Sequence, residues 1–172
     1  MEITKVKGEG SMELARKEDV GLVTEGGKRD LLSQQTLTVV TFYMGDFLFG
    51  ISAEKILEIN KDLEITPVPL SENYILGIMN LRGQIITVID LAKKIELQEE
   101  IQPKINLIIK TEEDAPVSFV IEKIGDILQI PVAKLEPTPE KIEGLNKKYV
   151  EKIYQLPDRL LLLLDLNEIL KN

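Results

Sequence analysis

Two residue types are missing from this chain of 172 residues, which contains no cysteine and no histidine. Without cysteine there is no disulfide, no thiolate nucleophile and no cysteine-ligated metal. Without histidine, Ser-His-Asp and Cys-His catalysis, histidine-ligated metal sites and histidine phosphotransfer are excluded. The sequence therefore excludes most hydrolytic and phosphorelay functions, and it predicts no metal and no other cofactor.

Basic residues and long apolar runs are also scarce. The chain has 21 lysines and arginines against 29 acidic residues, a net charge of −8, which argues against nucleic acid or anionic lipid as its main partner. The longest aliphatic run, the five leucines at positions 160–164, is too short to span a membrane. The N-terminus lacks the apolar segment of a signal peptide. We therefore expect a cytoplasmic protein without direct membrane insertion.

The composition changes near residue 36. Residues 1–35 hold five of the 11 glycines and none of the aromatic residues, and they sustain no helix or strand period, which predicts a flexible tail. From residue 36 to residue 172, short runs rich in Val, Ile, Leu, Phe and Thr alternate with Gly, Pro and acidic turns. This pattern predicts an all-β domain with few short helices, such as one over residues 71–77, which begin with serine and end with glycine.

The β-rich part of the chain repeats itself. Residues 37–40 are echoed by residues 105–108, a shift of 68, and residues 74–91 are echoed by residues 149–166, a shift of 75. We interpret this as two small β units, over about 36–100 and 101–172, each the size of an SH3-like barrel. Because units this short are marginally stable alone, we expect them to share a core and to exchange elements.

Asp90 follows an apolar strand, as does the phosphoacceptor of a receiver domain. Receiver chemistry also needs an acidic pair after the first strand to hold Mg²⁺, and the first predicted strand here ends without one. Asp165 has the same place in the second copy, so both residues are predicted to cap short helices, at 91–95 and 166–170. A receiver-type phosphoacceptor at Asp90 remains the less favoured alternative.

Arg82 lies in a turn, Asn80-Leu81-Arg82-Gly83, at the start of an apolar strand. The second copy keeps the strand but has Pro157-Asp158 in place of Arg82-Gly83, so the repeat does not need the arginine. Arg82 is therefore a candidate for contact with a partner, and an ion pair that holds the turn is an equally open alternative. Glu58 is its expected partner; breaking such a pair costs about 3–5 kcal/mol if it is buried, whereas an exposed pair is worth about 1 kcal/mol or less.

Aliphatic residues flank Glu58 on both sides. In an extended segment Ile56 and Glu58 share one face, while Leu57 and Ile59 share the other. We expect some of these side chains to line an open groove of the kind that accepts a helix, with a purely structural core as the alternative.

A specific motif runs from Gly77 to Leu91, where a Gly-x-x-Asn-Leu-Arg-Gly turn leads into an apolar strand that ends in Asp-Leu. With this motif, the chain from about residue 37 to residue 170 resembles the CheW-like domain family of bacterial chemotaxis adaptors. The other matching pieces are residues 49–51, 54–59, 66–69, 120–124 and 158–166.

The resemblance implies a fold of two intertwined five-stranded SH3-like β-barrels without enzymatic activity. It implies a signal-transduction scaffold in chemotaxis that binds the cytoplasmic hairpin of methyl-accepting chemoreceptors and the regulatory domain of the histidine kinase CheA, in membrane-associated arrays. An adaptor of another chemosensory pathway, such as pilus motility, and a detached CheA regulatory domain are the alternatives.

The resemblance also implies site residues. A polar pair at the signalling surface is formed by Glu58 and Arg82, and the kinase-facing surface is expected at barrel ends without particular residues. The turn is carried by Gly77, Asn80 and Gly83, and the receptor-binding groove by Val40, Ala53, Ile56, Ile59 and Val120. Lys152 stands at the counterpart of Gly77, which predicts no tight backbone approach there.

Overall fold

Strands dominate the computed structural model, which describes residues 34–62, 64–113 and 115–171. The all-β prediction is confirmed, while the predicted tail lies outside these residues except for its last two positions. The first half holds β1 Thr36–Met44, β2 Phe47–Ser52, β3 Ile56–Asn60, β4 Ile75–Leu81, β5 Gln84–Asp90 and helix α1 Leu91–Lys94. The second half holds β6 Ile105–Ile109, β7 Val117–Ile121, β8 Lys123–Pro131, β9 Glu136–Pro137, β10 Val150–Gln155, β11 Leu160–Leu164 and helix α2 Leu166–Ile169.

The strands form two sheets that mix the halves of the chain. The first sheet has the order β8-β1-β2-β11-β10-β9, and the second has the order β3-β6-β7-β5-β4. The sequence repeat relates β1, β2, β3, β4 and β5 to β6, β7, β8, β10 and β11. Each sheet is therefore built on the same plan, with the hairpin of one copy inserted between strands of the other, so the two copies exchange their first hairpins.

The first sheet has one strand more than the predicted five, the two-residue strand β9. β9 pairs with β10 through Pro137 with Lys152 and Glu136 with Ile153. The second sheet has the same feature in shorter form, because Thr66 makes an isolated bridge to Ile78 on the outer edge of β4. In both sheets the connecting segment covers a strand edge that would otherwise expose backbone donors and acceptors.

Among the described residues the core consists of three apolar clusters, since alternate residues of each strand point to opposite faces. On β7, for example, Phe119 and Ile121 join a large cluster shared by both sheets, whereas Val120 lies in a small cluster enclosed by the second sheet. The first sheet encloses its own small cluster, centred on Val39, Leu48, Ile130, Leu161 and Leu163. Each sheet thus encloses a small cluster of its own and has one face in the large shared cluster.

Both predicted helix caps are present. Asp90 accepts a hydrogen bond from the backbone N–H of Lys93 at 3.1 Å, and Asp165 accepts one from that of Glu168 at 3.0 Å. Each side chain satisfies a donor that the first turn of a helix leaves unpaired. The equivalence of the two caps confirms the repeat and explains Asp90 without phosphorylation chemistry.

The predicted helix over residues 71–77 is wrong. The structure has a turn at Asn73–Tyr74, and β4 begins at Ile75. Gly77 lies inside this strand, at a β-bulge where Leu76 is the extra residue, and does not end a helix. A glycine in a strand often marks a bulge or a close backbone approach, and here it marks both.

No helix among the described residues is long and apolar enough to cross a membrane.

Candidate functional site

Arg82 and Gly83 form a two-residue turn between β4 and β5. Leu81 pairs with Gln84, and the φ angles of Arg82 and Gly83 are +51° and +88°. Positive φ at both central positions is the pattern of a type I′ turn, whose twist matches that of the flanking strands. The side chain of Asn80 completes the turn, since its Oδ1 accepts a hydrogen bond from the Gly83 N–H at 2.8 Å.

An arginine is an unfavourable choice for the first central position of this turn. Type I′ turns favour Asn, Asp or Gly there, and the left-handed conformation costs other residues about 1–2 kcal/mol. The equivalent hairpin in the second copy closes with Leu156 N–H donating to Arg159 O at 2.9 Å around Pro157, which cannot adopt positive φ. Strain retained at one hairpin and absent from its counterpart points to a role of Arg82 outside the fold.

The predicted ion pair between Arg82 and Glu58 is present, with Arg82 Nη1 2.8 Å from Glu58 Oε2. Glu58 lies on β3 at one edge of the second sheet, and Arg82 follows β4 at the other edge. The sheet therefore curves until its edges meet, as in a barrel. Because the Arg82 side chain is 78% exposed and that of Glu58 is 23% exposed, the pair belongs to the exposed class, worth about 1 kcal/mol or less.

Exposed aliphatic residues lie on the strands that carry or adjoin this pair. On β3 the side chains of Leu57 and Ile59 are exposed, whereas their neighbours are partly buried, as the period of a strand predicts. Ile85 is exposed on β5, directly across from Asn80. Sequence reasoning missed Ile85, although it is the second residue after the turn and the first aliphatic residue of its strand.

The structure brings only part of the predicted groove to the surface. Ile59 is exposed, and Ala53 and Ile56 are partly buried where β2 passes to β3. The prediction that Val40 and Val120 line an open groove is wrong, because they are 6% and 0% exposed. Val120 lies on a central strand with its side chain in the small apolar cluster that the second sheet encloses, so a partner cannot reach it.

Gly77 allows a close backbone contact on β4, the strand that leads to the Arg82 turn. Its φ is +147°, and a side chain there would collide with the carbonyl oxygen of Thr66. Thr66 and Ile78 exchange two backbone hydrogen bonds, of 2.8 and 2.9 Å, which fix the segment between β3 and β4 to the edge of β4. The close approach of these backbones therefore requires glycine, and it holds the strand that carries the Arg82 turn.

A buried polar pair that sequence reasoning missed anchors the segment after β3. Ser118 Oγ donates to Asn106 Oδ1 at 2.8 Å, and Asn106 Nδ2 donates to the Asp62 carbonyl at 2.8 Å. Both side chains are fully buried, so their hydrogen bonds must be satisfied internally. The available signal was an asparagine and a serine within otherwise apolar strands. They fix the start of the segment that leads to Thr66.

In the part of the chain that the structure describes, no group of three or more Asp and Glu residues is arranged to hold a metal ion. What the site offers is an oriented guanidinium on a two-residue hairpin turn, with exposed aliphatic side chains on β3 and β5. Such a combination suits recognition of another protein.

Comparison with known proteins agrees with this geometry. The family model described as CheW-like domain matches residues 38–172. This chain belongs to the CheW-like family. It is 32% identical over 146 residues to chemotaxis protein CheW of Helicobacter pylori, covering 84% of this chain and 88% of that one. It is 31% identical over 133 residues to chemotaxis protein CheW of Bacillus subtilis, covering 77% and 85%.

A solved structure extends the match to the CheW-like fold. The crystal structure of the scaffolding protein TtCheW from Thermoanaerobacter tengcongensis superposes with a TM-score of 0.73 at 25% identity, covering 80% of this chain and 94% of that one. The family match confirms the interpretation of this chain as a chemotaxis signal-transduction adaptor with a CheW-like fold. It favours that interpretation over a receiver-type phosphoacceptor, in agreement with the capping role of Asp90.

Proposed function

We propose that this chain is a non-enzymatic adaptor that couples methyl-accepting chemoreceptors to the histidine kinase CheA in membrane-associated arrays. The single observation that carries the proposal is the strained, exposed Arg82 held by Glu58 at the edge of the second sheet. A side chain fixed in this way can meet a partner without losing much conformational entropy.

The receptor-facing surface, in this proposal, consists of Arg82, Glu58, Leu57, Ile59 and Ile85. A helix of the receptor hairpin lies across the exposed aliphatic residues of β3 and the start of β5, as amphipathic helices do in apolar grooves. Arg82 and Glu58 set its register. Ala53 and Ile56 contribute from the edge, whereas the buried Val40 and Val120 act only through the core.

Coupling requires the adaptor to hold two partners at once, so a second surface binds the regulatory domain of CheA. Linkage of two modest interfaces in an array produces much higher overall avidity than either interface alone. We also propose that residues 36–172 act as one domain, since both copies share the large apolar cluster.

A pulldown with a receptor cytoplasmic hairpin and the CheA regulatory domain tests the function. Arg82→Asn is expected to lower receptor capture about tenfold or more, the effect of losing a central arginine, while leaving kinase capture unchanged. Arg159→Asn, in the equivalent hairpin of the second copy, is the matched control and should retain both partners. Receptor capture at wild-type affinity by a folded Arg82→Asn variant would contradict the proposal.

A further inference from the structure

The second sheet has an open apolar groove beside helix α2, and this groove shares Ile85 with the surface around the Arg82 turn. It has a volume of about 610 Å³. Its floor and walls come from β4, β5, β7 and α2, with a tyrosine just before β4. The apolar residues that define it are Tyr74, Ile75, Ile85, Val117, Ile169 and Leu170. The six are named together below as the α2 groove.

The equivalent place on the first sheet is filled by the chain itself. The connection from the edge pairing to the tyrosine before the next strand is longer on the first sheet. It has twelve residues there, 137–148, between Glu136 and Tyr149, against seven on the second sheet, 67–73, between Thr66 and Tyr74. Ile142 and Leu145 from this longer connection pack into the shared apolar cluster, and Leu145 is buried. Gly144 O accepts a hydrogen bond from Gln98 N–H at 3.0 Å, which fixes the segment beside the end of α1.

The repeat identifies which residues make the difference. A shift of 68 relates Phe47 to Ala115, and a shift of 75 relates Val150 to Ile75. On the first sheet, Gly144 lies against the Phe47 ring, and Thr138 Oγ1 donates to Val150 O at 2.8 Å. On the second sheet, Ala115 replaces the ring, and the shorter connection leaves Leu70 fully exposed instead of packed. The groove is open because both fillers are missing.

We infer that the α2 groove docks a short segment of a partner protein with two aliphatic side chains three residues apart. The spacing is that of Ile142 and Leu145, which cover the equivalent place. The rim carries both signs of charge, with Lys94 at the end of α1, Lys171 just after α2, and Glu112 and Glu113 in the β6–β7 connection.

The charges at the rim select an occupant of mixed charge. Lys94 Nζ stands 4.1 Å from the centre of the Tyr74 ring, so a cation is fixed at one wall. The segment 138–148 itself contains both glutamates and lysines around its aliphatic pair. A partner segment of the same kind places a carboxylate near Lys94 and a cation near Glu112, whereas a strongly acidic or basic segment meets repulsion at one wall.

The segment 138–148 also provides the probe. A synthetic peptide with the sequence of residues 138–148 is titrated into the isotope-labelled full chain, and chemical shifts are recorded. Saturable shifts are expected at Ile85, Val117 and Leu170. A peptide with Ile142→Ser should bind about tenfold more weakly, as expected for loss of an apolar anchor.

Variants of the full chain make the assignment specific. Ala115→Phe restores the ring against which Gly144 lies on the first sheet, so it should strengthen peptide binding without lowering the melting temperature, since Ala115 is exposed. Ile85→Ser should weaken binding, and Leu160→Ser, at the equivalent exposed position of the first sheet, is the matched control and should not.

Three results would overturn the inference. The first is no saturable shift at any peptide concentration, and the second is peptide binding that Ile85→Ser leaves intact. The third is dimerisation of the chain without peptide that Ile85→Ser abolishes, which assigns the groove to a second copy. None of these measurements uses receptor or kinase, so the proposed adaptor function is tested separately.

Discussion

Arg82 and Glu58 join opposite edges of one sheet, with 2.8 Å between Nη1 and Oε2, although they are 24 positions apart in the chain. The contact is exposed on the arginine side, and the turn that presents the arginine is strained. A weak pair on a costly turn contributes little to net stability. Its physical effect is to restrict where the guanidinium points, and that is a property a binding surface uses.

A double-mutant cycle on Glu58→Ala and Arg82→Ala measures this pair. The coupling free energy of unfolding is expected to be favourable and about 1 kcal/mol or less, because water screens a pair of this exposure. Urea denaturation of the wild type, both single variants and the double variant supplies the four values. A coupling of about 3 kcal/mol would show that the pair behaves as a buried one, and strict additivity would show that it does not form in solution.

Relief of the turn strain separates stability from binding at Arg82. Arg82→Gly and Arg82→Asn should raise the free energy of unfolding, or at least preserve it, because both residues suit the first central position of a type I′ turn. The gain is limited to about 1 kcal/mol, since the ion pair is lost at the same time. Arg82→Pro should destabilise the protein because proline cannot adopt φ near +51°. Urea denaturation checks the order, and a destabilised Arg82→Asn variant would contradict the strain argument.

Substitutions at Gly77 and at its counterpart Lys152 test whether the close backbone approach to Thr66 requires glycine. Gly77→Ala is expected to lower the free energy of unfolding by about 2 kcal/mol or more, because a Cβ there meets the Thr66 carbonyl and φ is positive. Lys152→Ala occupies the same bulge of β10 without positive φ and should change stability by about 0.5 kcal/mol or less. Thermal melts of both variants measure these changes in stability. Equal losses in the two variants would show that the Thr66 contact gives Gly77 no special role.

The sequence predicted what depends on local pattern and repetition. The strands, both capping aspartates and the Arg82–Glu58 pair followed from periodicity, from the two shifts and from charge at a turn. It could not show which sheet each hairpin would join, since the exchange of hairpins is decided by packing against the other copy. The failures at Val40 and Val120 have the same origin: an aliphatic residue in a strand has the same pattern whether its face meets solvent or a second core.

The wrong helix over residues 71–77 shows a different limit. Ser71 and Gly77 have the spacing of a start and a stop, yet the glycine is there because Thr66 approaches it, a contact between residues 11 positions apart. Ser71 instead donates through Oγ to the Val68 carbonyl at 2.9 Å, within a turn. Short helix signals compete with such turn hydrogen bonds, and length is what decides between them.

Asp90 provides the final test, because capping and phosphorylation make opposite demands on its carboxylate. As a cap, it accepts from Lys93 N–H, and its own N–H donates to Tyr74 O at 2.7 Å. Asp90→Ala should lower the free energy of unfolding by about 1 kcal/mol, and Asp90→Asn, which retains an accepting oxygen, by much less. Asp165→Ala should match Asp90→Ala, since its cap has the same geometry.

Incubation of the full chain with acetyl phosphate and Mg²⁺ should leave the intact mass unchanged. A phosphorylated species that is lost in Asp90→Asn would reverse the assignment. We expect none, because a carboxylate that is 6% exposed and engaged by a helix N-terminus has neither the access nor the Mg²⁺ ligands that receiver chemistry requires.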